Sequence, residues 1–373
     1  MFYPMPIDLF RASIKNKNDK NLNVPGTSTT FAHRIIHRLS IKRMNLSSRP
    51  NKFTYPYLIN TNGFDVGKLI ARLKEEPVRK KTGVPDYDAV FSIDNDATSA
   101  VTRAFQERQI LHTKITVRGR PSDSFWEAWE KSVLLRKRVC DSDDPAEEVW
   151  RQSRAFNYRL ATTFMPSYAK AIYDHFGAAL VLDPCAGWGD RLLGALTSDC
   201  VTTYIGFDPN RRLQQGYADI ATACGKTVTS ATDVKIQFCD SPQSQSRPQS
   251  VIYCEPFETG ARRLTTGSVP FIFTSPPFFD YEVYSPSNPR YADWVADFYT
   301  PLFREMARIC APGGRIAIYM GDTSSGSLTQ FILNIRDVCP ELALQPSIGF
   351  EGIMSNKVRK IWMFSKDPTP TQH

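Results

Sequence analysis

From about residue 150 onward, short apolar runs alternate with helical segments, and few architectures accept that order. Leu180 to Leu182 reads as a strand, followed by a glycine-bearing turn and a helix from Asp190. Tyr204 to Phe207 is a second strand with Asn210 to Cys224 as its helix, and Val251 to Tyr253 and Phe271 to Phe273 are further strands. A helix over Ala292 to Cys310 ends at Pro312-Gly313-Gly314, and the strand Arg315 to Met320 follows. A last helix, Leu328 to Val338, leads to closing strands near Ile348 and over Arg359 to Phe364. This alternation predicts a three-layer α/β domain over 151–366, a sheet with helices on both faces, and a short tail over 367–373.

The chain ahead of that domain is different. Residues 1–60 carry ten Lys/Arg against two Asp, an excess of eight that equals the net charge of +8 on the whole chain. Clustered cations on a partly disordered arm predict a polyanionic partner, since neutralising phosphates rewards Lys and Arg held together. The Arg-rich, acid-free stretch Phe31 to Leu46 also has the character of a mitochondrial targeting segment, although Asp8 and Asp19 oppose that reading. Residues 61–150 read as an accessory or target-recognition region. Asp65 to Glu76 is a helix stopped by Pro77, and Glu107 to Arg118 has strand character. Ser124 to Arg138 reads as one helix with Phe125, Trp126, Trp129, Val133 and Leu134 on one side, aromatics better suited to a core than to base stacking.

Several function classes drop out. No run of about 18 apolar residues offers a membrane span. The eight cysteines are scattered singly without a C-x-x-C, which fits a reducing, intracellular, soluble protein of the cytoplasm or nucleoid/nucleus and gives no zinc ribbon. His33 and His37 lack further ligands nearby, so no metal is expected, and five dispersed histidines assemble no Ser-His-Asp or Cys-His group.

The residues after the strands carry the chemistry. In Asp183-Pro184-Cys185-Ala186-Gly187-Trp188-Gly189, Gly187 and Gly189 allow close backbone approach to a ligand, and the following helix offers free N–H groups. The third glycine of a dinucleotide turn is replaced by Leu192, and an acid precedes the glycines, which suits a ligand with a cationic end. Asp208 ends the second strand, where an acid accepts ribose hydroxyls. A positively charged nucleoside fits both acids, and S-adenosyl-L-methionine is such a molecule.

After the fourth strand comes Thr274-Ser275-Pro276-Pro277-Phe278-Phe279-Asp280. Two prolines fix a rigid loop without N–H donors, leaving carbonyl acceptors beside a serine hydroxyl and an aromatic ring. An exocyclic amino group on a base needs such a place: its N–H bonds go to acceptors and the ring stacks on the aromatic.

Taken together, Asp183 to Gly189, Gly206-Phe207-Asp208 and Ser275-Pro276-Pro277-Phe278 resemble the motifs of the S-adenosylmethionine-dependent amino-methyltransferases that act on DNA bases. The resemblance covers about 150–366 and implies a Rossmann-like, seven-stranded class I methyltransferase sheet. It implies catalysis by Ser275, Pro276, Pro277 and Phe278, and a leading Ser is typical of the N4-cytosine enzymes rather than the N6-adenine ones. It also implies cofactor contacts from Phe164, Asp183, Cys185, Ala186, Gly187, Gly189 and Asp208, with Glu255 and Phe257 near the adenine. Trp188 departs from the small residue usual there, and the 85 residues between Gly189 and Ser275 leave no room for a recognition domain. Recognition then falls to residues 1–150 or to the loop Tyr281 to Tyr291. Cys185 lies in the cofactor turn, so it reads as packing and not as a nucleophile. The expected partner is nucleic acid, DNA first and RNA second; a catalytically inactive nucleic-acid-binding homologue is the alternative.

Overall fold

A computed structural model describes residues 54–367 except 61–62, 76–77, 94–96, 118–119, 156–159, 162, 241–249, 280, 282–290, 323–326 and 353–354. The basic arm up to residue 53, residues 241–249 and most of the Tyr281 to Tyr291 loop lie outside the described residues.

The first described stretch mixes helices with short strands. These are α1 (Val66–Glu75), β1 (Arg79–Lys81), β2 (Tyr87–Ser92), α2 (Ser99–His112), the two-residue pair β3 (Thr116–Val117) and β4 (Arg120–Pro121), α3 (Phe125–Lys131), α4 (Val133–Cys140) and α5 (Pro145–Ala155). Two expectations are corrected. The stretch Glu107 to Arg118 is helical up to His112, because α2 turns Val101, Ile110 and Leu111 into the interior. The helix expected over Ser124 to Arg138 is two helices that break at Ser132. The Ser124 hydroxyl and Glu127 form a capping box on α3, and the Ser132 hydroxyl accepts the Leu135 N–H to start α4. The break separates the expected apolar face, since Phe125 and Trp129 are buried whereas Val133 and Leu134 stand 61% and 58% exposed.

The alternating region then runs α6 (Pro166–Phe176), β5 (Leu180–Asp183), α7 (Asp190–Thr197), β6 (Thr203–Phe207), a 3-10 turn (Arg211–Leu213) and α8 (Gln214–Ala223). Next come β7 (Thr227–Ala231), β8 (Lys235–Cys239), β9 (Ser250–Tyr253), α9 (Phe257–Gly260) and β10 (Val269–Thr274). A short helix (Tyr291–Trp294) and a π turn (Val295–Tyr299) enter α10 (Thr300–Ile309), followed by β11 (Cys310–Ile318), α11 (Leu328–Leu333), β12 (Leu342–Gly352) and β13 (Ser355–Lys366). The strand expected from Arg315 thus begins five residues earlier, and its pairing with β10 shifts register between Val269 and Phe271 to absorb Pro312-Gly313-Gly314.

One sheet takes in all but the β3–β4 pair, in the order β1-β2-β12-β13-β11-β10-β5-β6-β9-β8-β7. Neighbours within β11-β10-β5-β6-β9 are parallel, and β13 lies antiparallel between β11 and β12. The seven strands from β12 to β9, all parallel but β13, form the Rossmann-like seven-stranded sheet that was expected. The expected count of seven is corrected to eleven, because a pair is added at each edge. The β7–β8 hairpin extends the sheet beyond β9, and β2, parallel to β12, brings β1 with it. Residues from the 61–150 region therefore belong to the same sheet as the domain that follows. The outermost strand on that side, Arg-Lys-Lys, is exposed at all three residues, and its charges discourage further strand addition.

Both faces of the central strands are buried, which is why they read as apolar runs. On one face Tyr168, Ile172 and Tyr173 of α6, Leu192 and Leu193 of α7 and Ile220 of α8 cover Val181, Tyr204 and Phe273. On the other, Leu302, Phe303 and Met306 of α10 cover Leu182, Ile272 and Ile316.

Candidate functional site

Strand order reverses between β5 and β10: β6 follows β5 on one side, and β10 lies on the other. A crevice opens outside the carboxyl ends of strands at such a reversal. Asp183 ends β5 and Thr274 ends β10, so the glycine turn and the proline pair, with 86 residues between Gly189 and Pro276, leave the sheet side by side. The Thr274 hydroxyl makes the join by donating to Asp183 Oδ1 at 2.9 Å, and the Cys185 N–H reaches Thr274 Oγ1 at 3.1 Å.

Asp183 does not face a ligand. Its side chain is fully buried, with Arg191 Nε donating to Oδ2 at 2.8 Å and Tyr204 OH donating to Oδ2 at 2.7 Å. Arg191 Nη2 adds a bond to Oδ1 at 3.2 Å and another to the Cys185 carbonyl. The expectation that this acid meets a cationic ligand is corrected. Arg191 already supplies the positive charge, and the pair anchors the turn from beneath. Sequence reasoning missed Arg191: a cation beside Leu192 and Leu193 is the one signal, and only its buried position pairs it with a buried acid.

The turn itself is held open to the crevice. Gly187 and Gly189 have φ of 58° and 93°, and a Cβ on Gly189 would meet Ile220 Cδ1 at 2.8 Å. The Ala186 N–H donates to the Phe207 carbonyl at 2.8 Å, the Tyr217 hydroxyl donates to the Gly187 carbonyl, and the Gly187 N–H donates to Asp208 Oδ2 at 3.0 Å. Cys185 is half-buried in this turn; burial, with the charges of Glu258 and Asp183 adding to it, pushes its thiol well up. It stays protonated near neutral pH and is no nucleophile.

Asp208 does stand where an acid was expected. It follows β6, half-buried, and its other oxygen accepts the Asn210 N–H at 2.8 Å. Each oxygen keeps a lone pair for a ribose hydroxyl. Burial, opposed by the Asn210 and Gly187 N–H bonds, pushes its carboxyl up to about 7. Glu258 on α9 is also pushed up by burial, and its charge reaches the Cys185 thiol, so a second carboxyl stands near the turn. Glu255 is engaged by Arg263, whose Nε lies 2.6 Å from Oε1. Phe257 is buried edge-on against Phe207, 5.3 Å between ring centres, and shapes the floor beneath this end of the crevice. Phe164 is likewise buried, in a ring cluster with Phe273, Tyr319 and Phe350. These residues fit S-adenosylmethionine: Asp208 for the ribose, the left-handed glycine turn for close backbone approach, and carboxyls that favour a cationic ligand.

The Asp208 carboxyl sets a pH dependence. Ribose hydroxyls donate to the ionised form, so affinity for the adenosyl ligand should rise as pH climbs from about 6 to about 8 and stay flat in Asp208→Asn. At pH 8, Asp208→Ala should weaken binding by about 1.5–3 kcal/mol. Because the folded pKa lies above the unfolded one, the group's own stabilisation is present below the unfolded value and is lost as pH rises through about 7. Calorimetry across that range checks both slopes; a pH-independent affinity in the parent chain would remove Asp208 from the ribose.

On the β10 side, the Tyr299 hydroxyl donates to the Pro277 carbonyl at 2.7 Å and fixes the proline pair. Among the described residues, neither the Ser275 hydroxyl nor the Pro276 carbonyl has a hydrogen-bond partner. Phe278 is half-buried and held edge-on by Tyr319, with ring centres 5.8 Å apart at 76°. Tyr204, Tyr299 and Tyr319 carry no motif, and only packing assigns them here. Among the described residues no cluster of His, Cys, Asp or Glu could hold a metal, and no helix is long and apolar enough to cross a membrane.

No family model and no curated protein matches the sequence. Among solved structures the chain is similar to a cofactor-bound protein from MTB, at 12% identity over 67% of this chain and 100% of that one, with a TM-score of 0.35. It is also similar to an rRNA methylase from Streptococcus thermophilus, at 8% identity over 56% of this chain and 100% of that one, with a TM-score of 0.34. At these levels the strand order of the sheet, and not the likeness, defines the fold.

Proposed function

We propose that the chain transfers a methyl group from S-adenosylmethionine to an exocyclic amino group of a nucleic-acid base, N4 of cytosine in DNA ahead of N6 of adenine in DNA or RNA. The observation that carries this reading is the pair of acceptors without a hydrogen-bond partner among the described residues, the Ser275 hydroxyl and the Pro276 carbonyl, beside the Phe278 ring and next to the glycine turn. When bound, the cofactor supplies an electrophilic methyl on a sulfonium.

An exocyclic amine conjugated to its ring is a poor nucleophile, because its lone pair is delocalised. Ser275 and the Pro276 carbonyl accept its N–H bonds and leave the lone pair facing the crevice between β5 and β10. Phe278 holds the plane of the base, and Tyr299 keeps the loop rigid through the Pro277 carbonyl. The rate gain comes from placement and aimed dipoles, with no covalent intermediate on the protein. The leading Ser supports cytosine N4 by resemblance, and the basic arm supports a polyanionic substrate.

Incubation with methyl-tritiated cofactor and denatured DNA or RNA should place label on the polynucleotide. Label on added protein or on small amines, with the polynucleotide unlabelled, would overturn the reading.

A further inference from the structure

Five side chains from four segments meet on the rim beside the cofactor end of the crevice. The Arg108 guanidinium lies 5.0 Å over the Tyr57 ring, and the His112 ring lies 5.2 Å from the half-buried Trp126 ring. Trp126 Nε1 donates to Glu130 Oε1 at 2.9 Å, which fixes the plane of the indole. Arg212 belongs to the 3-10 turn that follows Asp208, and its charge reaches His112. Partial burial holds the His112 imidazole below its ordinary range. Arg108 and Arg212 are exposed, and neither has an acidic partner among the described residues. The acids nearby are committed, Glu127 to Lys114 at 2.8 Å and Glu130 to the indole.

Two contacts tie this rim to the site. Gln106 Nε2 donates to the Leu213 carbonyl at 3.0 Å, which seats α2 on the segment directly after Asp208. The Thr116 N–H donates to the Tyr281 carbonyl at 2.7 Å, so β3 touches the chain three residues past Phe278. The rim thus runs from the Asp208 end of the crevice toward the proline-pair end.

We infer that Tyr57, Arg108, His112, Trp126 and Arg212 form a track for an unpaired polynucleotide strand leading to the crevice. Half-exposed rings beside cations that have no acidic partner among the described residues match a chain that alternates bases with phosphates. Bases in a duplex are already stacked and paired, and present no free face to such rings. Trp126, expected from sequence to serve a core, becomes the stacking platform. The track rests on the nucleic-acid reading of the site and narrows it to single-stranded or locally opened substrate.

The test uses the full chain and fluorescein-labelled 20-mers of dT, of U, of abasic deoxyribose phosphate, and a 20-bp duplex, read by anisotropy. Trp126→Ala should weaken binding of the dT or U strand by roughly 5- to 150-fold, the range for one lost base stack. It should leave the abasic strand and the duplex unchanged, and Trp126→Phe should restore most of the loss. Arg108→Ala with Arg212→Ala should weaken base-bearing and abasic strands alike and lower the log–log salt slope by about 1.4, the single-strand value for two phosphate contacts. The dT and U arms separate DNA from RNA as the source of the strand. Unchanged cofactor affinity marks each variant as folded. Parent affinity for dT and U in Trp126→Ala overturns the track, as does an equal loss on abasic strand or duplex. A chain that shows these strand effects and yet methylates no base refutes the proposed activity alone. One that methylates bases while Trp126→Ala binds strands like the parent refutes the track alone.

Discussion

Replacing Arg191 by Leu should cost about 3–5 kcal/mol of stability, the scale for removing one partner of a buried ion pair. Asp183 would remain in the interior with only Tyr204, Thr274 and the Cys185 N–H to satisfy a full negative charge. That loss is a large fraction of the roughly 5–15 kcal/mol that holds a domain folded. Asp183→Asn should be costly for the mirror reason, leaving a buried guanidinium without its counter-ion. The double variant Asp183→Asn with Arg191→Met should recover part of the loss, because no lone charge is left inside. Denaturant titration reads all three; a loss below about 1 kcal/mol in Arg191→Leu would mean the pair is solvated.

Ser275→Ala should lower turnover by about 10²-fold, as removal of one placed polar group in a preorganised site does. Cofactor affinity should stay nearly unchanged, since the contacts expected for it lie on the β5, β6 and β9 ends of the crevice. Phe278→Ala should weaken binding of the target base by about 1–3 kcal/mol, with a smaller effect on turnover at saturation. Single-turnover kinetics with saturating cofactor separates the two variants. Full activity in Ser275→Ala would mean that the amine is held elsewhere.

The sheet was legible where strands are buried on both faces. Leu180 to Leu182 and Phe271 to Phe273 are apolar runs closed by turn residues, and each is a central strand. The β7–β8 hairpin was not legible, because β7 is Thr-Val-Thr-Ser-Ala on an edge, where no apolar run is required. Glu107 misled for a related reason. A charged residue beside Ile110 and Leu111 suggests alternation, but its carboxyl is buried and accepts from the Tyr55 hydroxyl and the Leu58 N–H, inside a helix.

Of the expected site, what was legible is position: Gly187, Gly189, Asp208 and Ser275 stand after strand ends, a placement that depends on local sequence alone. It was misread at Asp183. A carboxylate beside a glycine turn looks the same whether a ligand or a guanidinium neutralises it, and only the folded position of Arg191, eight residues on, decides between them. Trp126 stays half-buried where Phe125 and Trp129 are buried, since an amphipathic helix carries no mark of which aromatic stays half-exposed when Ser132 breaks it.

The most direct measurement is nucleoside mass spectrometry after incubation of DNA and RNA with the chain and isotopically labelled S-adenosylmethionine. The account predicts label on an exocyclic amine, as N4-methylcytosine with N6-methyladenine as the lesser outcome. Label on a ring carbon, a ring nitrogen or a ribose hydroxyl would contradict it, as would unlabelled nucleosides from a chain that binds the cofactor.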